Sequence, residues 1–207
     1  MQSEALESGP PLVFFDLETT GLSRDSEIVQ LAAVSSSHSL NLYVLPQGRM
    51  DWGAMRATGL SVHKHRLYLH KRPVLCTPPT EALLAFLSFL HMCQKPTQRP
   101  LLVGHNARAF DVPVLLRALE GRGLRGALED TVEGAVDSLA LSRDMLRDRG
   151  VCSYRQEALV RRLLGEDYTA HDALQDARAL QRLVLLGLRP QLEDLSRHMF
   201  SLREMRT

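Results

Sequence analysis

The chain has 207 residues, of which 44% are hydrophobic, and its 25 Lys and Arg against 24 Asp and Glu give a formal net charge of +1. This length suits one domain with a sizeable core, and the near-neutral charge means that any nucleic-acid contact must come from local basic patches. No two of the three cysteines form a C-x-x-C pair, which argues against a zinc ribbon or a disulfide framework. The sequence shows no apolar leader and no run of about 18 apolar residues. These features predict an intracellular protein, nuclear or cytoplasmic, without a membrane span.

The predicted elements alternate between strands and helices along most of the chain. Residues 1–10 are predicted to form a flexible tail, and residues 11–207 a single domain that ends in a docking helix. Apolar runs predict strands over 11–16, 28–35, 40–45 and 100–104, and a short one that ends near Asp137. Helical spacing of apolar residues predicts helices over 79–93, 110–123, 153–164, 171–187 and 190–205. An early hairpin followed by alternating strands and helices predicts an α/β fold with a mixed central sheet of about five strands flanked by helices.

Two of these helices carry further expectations. Thr80 is the expected N-cap of the helix over 79–93. Leu192, Leu195, Met199 and Leu202 are expected to form one apolar stripe along the helix over 190–205.

Two carboxylates stand at the end of the most hydrophobic strand, in LVFFDLETTGL. Asp16 and Glu18 are two residues apart, so on a strand they share a face at a separation of about 7 Å. Asp111 follows the next buried strand in LLVGHNARAFDVPVL, and Asp176 follows His171 in TAHDALQDARAL. Each of these acids has an ordinary explanation in isolation, as a turn, helix-start or surface residue. Together they predict a site for two Mg²⁺ ions, or for Mn²⁺, because hard cations prefer oxygen ligands.

The same residues resemble the three motifs of the DEDDh (DnaQ-like) family of 3′→5′ exonucleases, which have an RNase H-like fold. DLETTGL is similar to the first motif, GHNARAFD to the second and HDALQD to the third. ATGLS, LLAFL and Pro113 resemble the TREX branch, and PLVFFDL…IVQLAAV is also similar to the exonuclease-like C-terminal region of a promyelocytic leukaemia protein isoform. The resemblance implies metal-dependent release of mononucleotides from single-stranded 3′ ends, with DNA slightly favoured over RNA.

The resemblance also implies roles for individual residues. The metal ligands would be Asp16, Glu18, Asp111 and Asp176, and His171 would be the general base. Thr20, Gly21 and Leu22 would contact the terminal nucleotide, and Asn106 would brace the site or touch the substrate. The TREX resemblance further implies a homodimer through edge strand 40–45.

Three features leave alternatives open. The basic run HKHRLYLHKR (63–72) reads as a solvated loop, as a phosphate-contacting rim with Tyr68 stacking on a base, or as a zinc site of His63, His65 and His70. Trp52 is expected to pack locally. The exonuclease itself has two rivals, an RNA-trimming exoribonuclease and a catalytically idle module that binds nucleic acid or protein.

Overall fold

A mixed sheet of seven strands forms the centre of the computed structural model, which describes residues 9–206. The strands are, in chain order, β1 (Leu12–Thr19), β2 (Ile28–Ser35), β3 (His38–Val44), β4 (Leu60–His63), β5 (Arg66–Leu69), β6 (Arg72–Pro73), β7 (Cys76–Thr77), β8 (Leu101–Gly104), β9 (Gly134–Asp137) and β10 (Met199–Phe200). The main sheet has the order β10-β9-β8-β1-β2-β3-β7, and β4, β5 and β6 form a separate antiparallel sheet. The mixed sheet expected from the sequence is therefore confirmed, with seven strands rather than about five.

Eight α-helices surround the sheet in the part of the chain that the structure describes. They are α1 (Trp52–Thr58), α2 (Pro79–Met92), α3 (Asp111–Glu120), α4 (Arg125–Thr131), α5 (Ser138–Met145), α6 (Gln156–Leu164), α7 (Ala173–Arg182) and α8 (Leu192–His198), and a π-helical segment (Leu183–Leu188) continues α7. Across residues 9–206, no helix combines the length and apolar character that crossing a membrane requires.

The alternation of β1 divides the core into two layers. Val13, Phe15 and Leu17 face one layer, where they pack with α2, α3 and α4. Phe14 faces the other layer, among residues of α5, α6, α7 and α8. Because side chains two residues apart share a face, Asp16 and Glu18 lie on the Phe14 side. The sequence alternation of this strand therefore decides which helices can reach its carboxylates.

β1 is longer than the run of apolar residues that predicts it. Its ladder with β2 continues through the pairs of Asp16 with Ala32 and Glu18 with Gln30, and after a shift in register it ends at the pair of Thr19 with Ile28. The neighbouring β8 pairs only with Leu12, Val13 and Phe14. The carboxylate-bearing half of β1 is thus held by β2 alone and is open on its other edge.

Several expectations about element ends are wrong. α2 begins after Pro78, with Pro79 in its first turn, so Thr80 is not the N-cap. The predicted helix over 190–205 stops at His198, because Met199 and Phe200 leave the helix to pair with Val136 and Ala135 at the edge of the sheet. Met199 is 40% exposed and does not continue the buried stripe.

The ends of the main sheet bear on two other predictions. Residues 1–8 of the predicted tail lie outside the described residues, while Gly9 is buried and its carbonyl accepts a hydrogen bond from Lys95 Nζ. β7 pairs with Tyr43 and Val44, so the predicted free edge at 40–45 is covered at one end. The homodimer through this edge stays a prediction, and a partner strand would have to pair with residues 38–42.

The basic run folds as a small sheet rather than as a loop. Its two tight turns are formed by Lys64–His65 and His70–Lys71, and all four residues have left-handed backbone, with φ between 47° and 67°. Two-residue turns with positive φ at both positions match the twist of antiparallel strands, although Asn and Gly are the usual residues there. The hairpins present basic side chains at both turns.

Candidate functional site

Three carboxylates converge on the Phe14 side of the sheet. One ligand oxygen from each of Asp16, Glu18 and Asp176 lies within 4.8 Å of the other two. The first two project from β1, and α7 brings Asp176 over them. The backbone N–H of Ala173 donates to Gln30 Oε1 at 3.2 Å, which fixes the start of α7 against β2. The structure thus brings these three predicted residues together, and their role as metal ligands stays a prediction.

Asp111 approaches the same end of β1 from the opposite layer. It is the first residue of α3, and its side chain is buried at 6% exposure. Its carboxylate accepts hydrogen bonds from the N–H groups of Leu17 and of Asp111 itself. Leu17 can donate there because β8 does not extend to this part of β1. Asp111 stands outside the group of three that meets within 4.8 Å, but its charge raises the pKa values of Asp16 and Glu18.

The carboxylates destabilise one another's charged forms. Burial, followed by the charges of the other acids, raises the pKa of Glu18 to about 8 and holds that of Asp16 well above its usual range. Burial also raises the pKa of Asp111 to about 7, against the opposing effect of its two backbone donors. Such a cluster is electrostatically costly in the absence of positive charge. An all-oxygen donor set that lacks a counter-charge fits a hard divalent cation.

Asp176 is held in place by residues that the sequence analysis did not assign to the site. The Tyr168 hydroxyl donates to Asp176 Oδ1 at 2.7 Å, and Gln156 Nε2 donates to the Tyr168 hydroxyl and to the Asp176 carbonyl, both at 2.9 Å. These bonds join α6, the loop before α7, and α7 itself. In the sequence, Gln156 is a polar residue at the start of a helix face that is otherwise apolar. In the structure it is buried, at 7% exposure.

A second buried acid shapes the turn that delivers Asp111. Asp137 Oδ1 accepts from the N–H groups of Asn106 and Leu139, both at 2.9 Å, and Oδ2 accepts from that of Arg108 at 3.1 Å. Asn106 has left-handed backbone in this turn, with φ of 59°. Asn106 thus lies in the turn that precedes Asp111, and its role in bracing the site or touching the substrate stays a prediction. Asp137, which the sequence placed only at a strand end, holds this turn through its carboxylate.

His171 lies at the exposed mouth of the cluster. Its backbone has φ of 67°, and its N–H donates to Asp176 Oδ2 at 2.7 Å. Burial raises the pKa of Asp176, while the hydrogen bonds from the Tyr168 hydroxyl and from the His171 N–H lower it. The backbone contact therefore fixes the position of the His171 main chain beside Asp176, while the His171 side chain remains accessible to solvent.

The predicted substrate-contact residues form a rim after β1. Thr20 is buried, its carbonyl accepts from the Asp51 N–H at 2.7 Å, and its hydroxyl accepts from the Glu27 N–H at 3.0 Å. Gly21 lies against the Asp51 side chain, since a Cβ there would meet Asp51 Oδ2 at 2.2 Å. Leu22 is 91% exposed, as a residue that contacts a ligand can be.

The basic run does not join this cluster. Tyr68 lies in β5, on the sheet that is separate from the one carrying the carboxylates. Among residues 9–206, the one group of three or more potential metal ligands is the carboxylate cluster, so the zinc alternative for His63, His65 and His70 has no support in the geometry.

Comparison with known proteins places this architecture in a family. Residues 11–163 match the family described as Exuperantia RNAse H-like domain. Maternal protein exuperantia-1 of Drosophila pseudoobscura pseudoobscura is 26% identical over 160 residues, which cover 72% of this chain and 32% of that protein. Exonuclease DPD1, chloroplastic/mitochondrial, of Arabidopsis thaliana is 29% identical over 194 residues, which cover 89% of this chain and 59% of that protein. The chain therefore spans less than two thirds of the length of either relative.

A solved structure agrees in fold. E. coli exonuclease I in complex with a dT13 oligonucleotide is similar with a TM-score of 0.68 and 20% identity, covering 89% of this chain and 43% of that chain. At this identity the likeness establishes the fold, which is the RNase H-like fold expected from the sequence. The chain belongs to the family described as Exuperantia RNAse H-like domain.

Proposed function

We propose that this protein is a metal-dependent 3′→5′ exonuclease that releases mononucleotides from single-stranded ends. The observation that carries the proposal is the meeting of Asp16, Glu18 and Asp176 within 4.8 Å, with buried Asp111 at the same end of β1. Structural ion-pair networks also shift pKa values, but the pKa values of Asp16 and Glu18 are raised, by burial and by the charges of the other acids, as in a cluster without a bound counter-charge. A bound cation is the missing partner that this arrangement favours.

The residues of the chain divide the chemistry among themselves. The four carboxylates would hold Mg²⁺ or Mn²⁺, which when bound supplies the positive charge that activates water and steadies the leaving oxygen. His171 would take the proton of the attacking water, since its exposed side chain leaves the backbone beside Asp176. The rim of Thr20, Gly21 and Leu22 would hold the terminal nucleotide, with Leu22 against its base.

The choice of single strands draws on the relatives and stays part of the proposal. Exonuclease I is solved with a dT13 oligonucleotide, and the Arabidopsis relative is named an exonuclease. A slight preference for DNA, the TREX-like branch, the promyelocytic leukaemia resemblance and a nuclear or cytoplasmic site of action remain predictions. An RNA-trimming enzyme and an idle binding module are the alternatives that an experiment has to separate.

The decisive assay follows a 5′-labelled single strand, as DNA and as RNA, in Mg²⁺ or EDTA. The proposal expects a ladder of shortening labelled products, since removal from the 3′ end leaves the label on the oligonucleotide. Immediate release of a labelled mononucleotide would reverse the polarity, and faster loss of the RNA would favour the exoribonuclease. Intact substrate with wild-type protein, under conditions where it binds the oligonucleotide, would identify an idle module; the Asp16→Asn variant is the control for contaminating nuclease.

We expect the basic hairpins to contribute phosphate contacts. Changing Lys64 and Lys71 to Glu, and then Arg66 and Arg72 as well, should weaken single-strand binding stepwise, because these side chains are exposed around the two tight turns. Each lost contact should reduce the slope of log affinity against log salt by about 0.7. The control is reversal of Arg203 and Arg206, which are exposed near the C-terminus. An unchanged slope in the hairpin variants would mean that the run is merely solvated.

Tyr168→Phe should loosen the metal site without abolishing it. The variant removes the 2.7 Å hydrogen bond to Asp176 Oδ1, and losing a bond that orients a ligand typically reduces metal affinity or activity by about 10–100-fold. Mn²⁺ titration followed by thermal shift measures the affinity. The matched control is Tyr154→Phe, whose hydroxyl contacts only the Leu146 carbonyl at 3.5 Å. Equal Mn²⁺ affinities in both variants would remove Tyr168 from the support of the site.

A further inference from the structure

We propose that Trp52, backed by Arg56, is a stacking platform for a nucleobase of the single strand upstream of the terminal nucleotide. This inference rests on the proposed function and extends it by a residue for which sequence analysis expected only local packing. The structure places Trp52 on the surface instead, at 69% exposure.

The position of Trp52 relative to the rim comes from its neighbour Asp51. The Asp51 N–H donates to the Thr20 carbonyl at 2.7 Å, and the Asp51 carboxylate lies against Gly21. Leu22 and Trp52 directly follow these paired residues in the chain. Leu22 and Trp52, two large and exposed apolar side chains, therefore lie close to the hydrogen bond between Asp51 and Thr20, at the edge of the carboxylate site.

The fold does not need the indole of Trp52 for packing. α1 attaches to the body through other side chains, since Thr58 is buried and Ala54 and Met55 pack against a core cluster of Val29, Met50, Leu60 and Leu67. The Arg56 guanidinium lies 5.3 Å from the centroid of the Trp52 ring. A cation stacked on one side of an exposed indole keeps the ring oriented and adds positive charge next to a surface that bases can cover.

The surface beyond Trp52 is continuous with the basic hairpins. α1 ends at Thr58 and is capped by Gly59, whose left-handed backbone leads directly into β4. The His70 ring lies over Gly59, and the His70 N–H donates to the Gly59 carbonyl at 2.9 Å. A strand whose 3′ end sits at Leu22 would pass Trp52 and then reach the turn at His70 and Lys71. Charge complementarity along this path favours nucleic acid as the occupant.

The test uses the fact that Trp52 is the single tryptophan of the chain. Its fluorescence is measured in the Asp16→Asn protein in EDTA, which prevents hydrolysis, during titration with a single-stranded oligonucleotide or with an abasic oligonucleotide of equal length and charge. We expect quenching with the base-containing strand and much less with the abasic strand. Trp52→Ala should weaken binding of the base-containing strand by about tenfold, the usual size of one base–aromatic stack, while Trp52→Phe should retain most of the affinity. Met92→Ala, which removes an exposed apolar side chain on α2, is the control.

The outcomes separate this inference from the proposed exonuclease. Nucleotide release by wild-type protein, together with equal quenching by both strands or unchanged binding in Trp52→Ala, would overturn the platform alone. Base-dependent quenching without nucleotide release would support the platform and overturn the catalytic proposal. Failure of every variant, wild type included, to bind either strand would overturn both.

Discussion

His171→Asn should reduce nucleotide release by about 10²–10⁴-fold, which is the usual contribution of a general base. The imidazole is exposed beside the carboxylates, and the backbone N–H of His171 already contacts Asp176. Asn is a better replacement than Ala, because His171 has φ of 67° and Asn tolerates left-handed backbone at little cost. The hydrogen bond to Asp176 is made by the main chain, so the substitution should preserve it.

Two further measurements give this prediction its force. The Mn²⁺-induced thermal shift of His171→Asn should equal that of wild type, since all four carboxylates remain. The control His91→Asn removes another exposed histidine on α2, in the opposite layer of the molecule, and should leave turnover unchanged. Full activity of His171→Asn at saturating Mg²⁺ would remove this residue from the chemistry, and a lost Mn²⁺ shift would assign it to metal binding instead.

The core and the carboxylates could be predicted because their signals are local. A run such as Leu12–Thr19 determines both a buried strand and the shared face of Asp16 and Glu18 through its period of two. The motif around Asp111 follows a strand and starts a helix, and the motif around Asp176 starts another helix, and the structure has both at those places. Where periodicity is strong and the element is buried, sequence spacing is enough.

Other features depend on pairing across long sequence distances. No sequence pattern links Tyr168 or Gln156 to Asp176, because Tyr168 is 8 residues and Gln156 is 20 residues away from it in the chain. The helical spacing over 190–205 did not predict β10. Met199 and Phe200 form a strand because they pair with the edge of β9, and local propensity does not encode that pairing. The surface position of Trp52 likewise follows from how α1 docks beside Thr20.

The carboxylate cluster should make the metal-free protein less stable as pH rises. The folded pKa values of Glu18 and Asp111, about 8 and about 7, lie above their usual values of 4.5 and 3.8. Well below pH 4 both folded and unfolded chains carry the protons, so the penalty is absent. As pH rises the unfolded chain releases these protons first, and the free energy of unfolding in EDTA should fall until about pH 8 and then level off.

Neutralising one member of the cluster should therefore stabilise the metal-free protein at pH 8. Burial and the charges of the other acids raise the pKa values of both Asp16 and Glu18, so Asp16→Asn and Glu18→Gln should each increase the free energy of unfolding in EDTA. For a chain of this size each kcal/mol gained raises Tm by about 2–4 °C. Asp148→Asn, at an exposed position after α5, should leave Tm unchanged and serves as the control.

Added Mn²⁺ should reverse this order. A cation that binds only the folded cluster stabilises it by about 2.7 kcal/mol at 100 times its dissociation constant, because only the folded chain brings the ligands within 4.8 Å. Wild type and Asp148→Asn should show the full gain, while Asp16→Asn and Glu18→Gln should gain far less, so the stability ranking inverts between EDTA and Mn²⁺. Equal gains in all four proteins would mean that these carboxylates do not share a metal ion, and the proposed exonuclease chemistry would lose its basis.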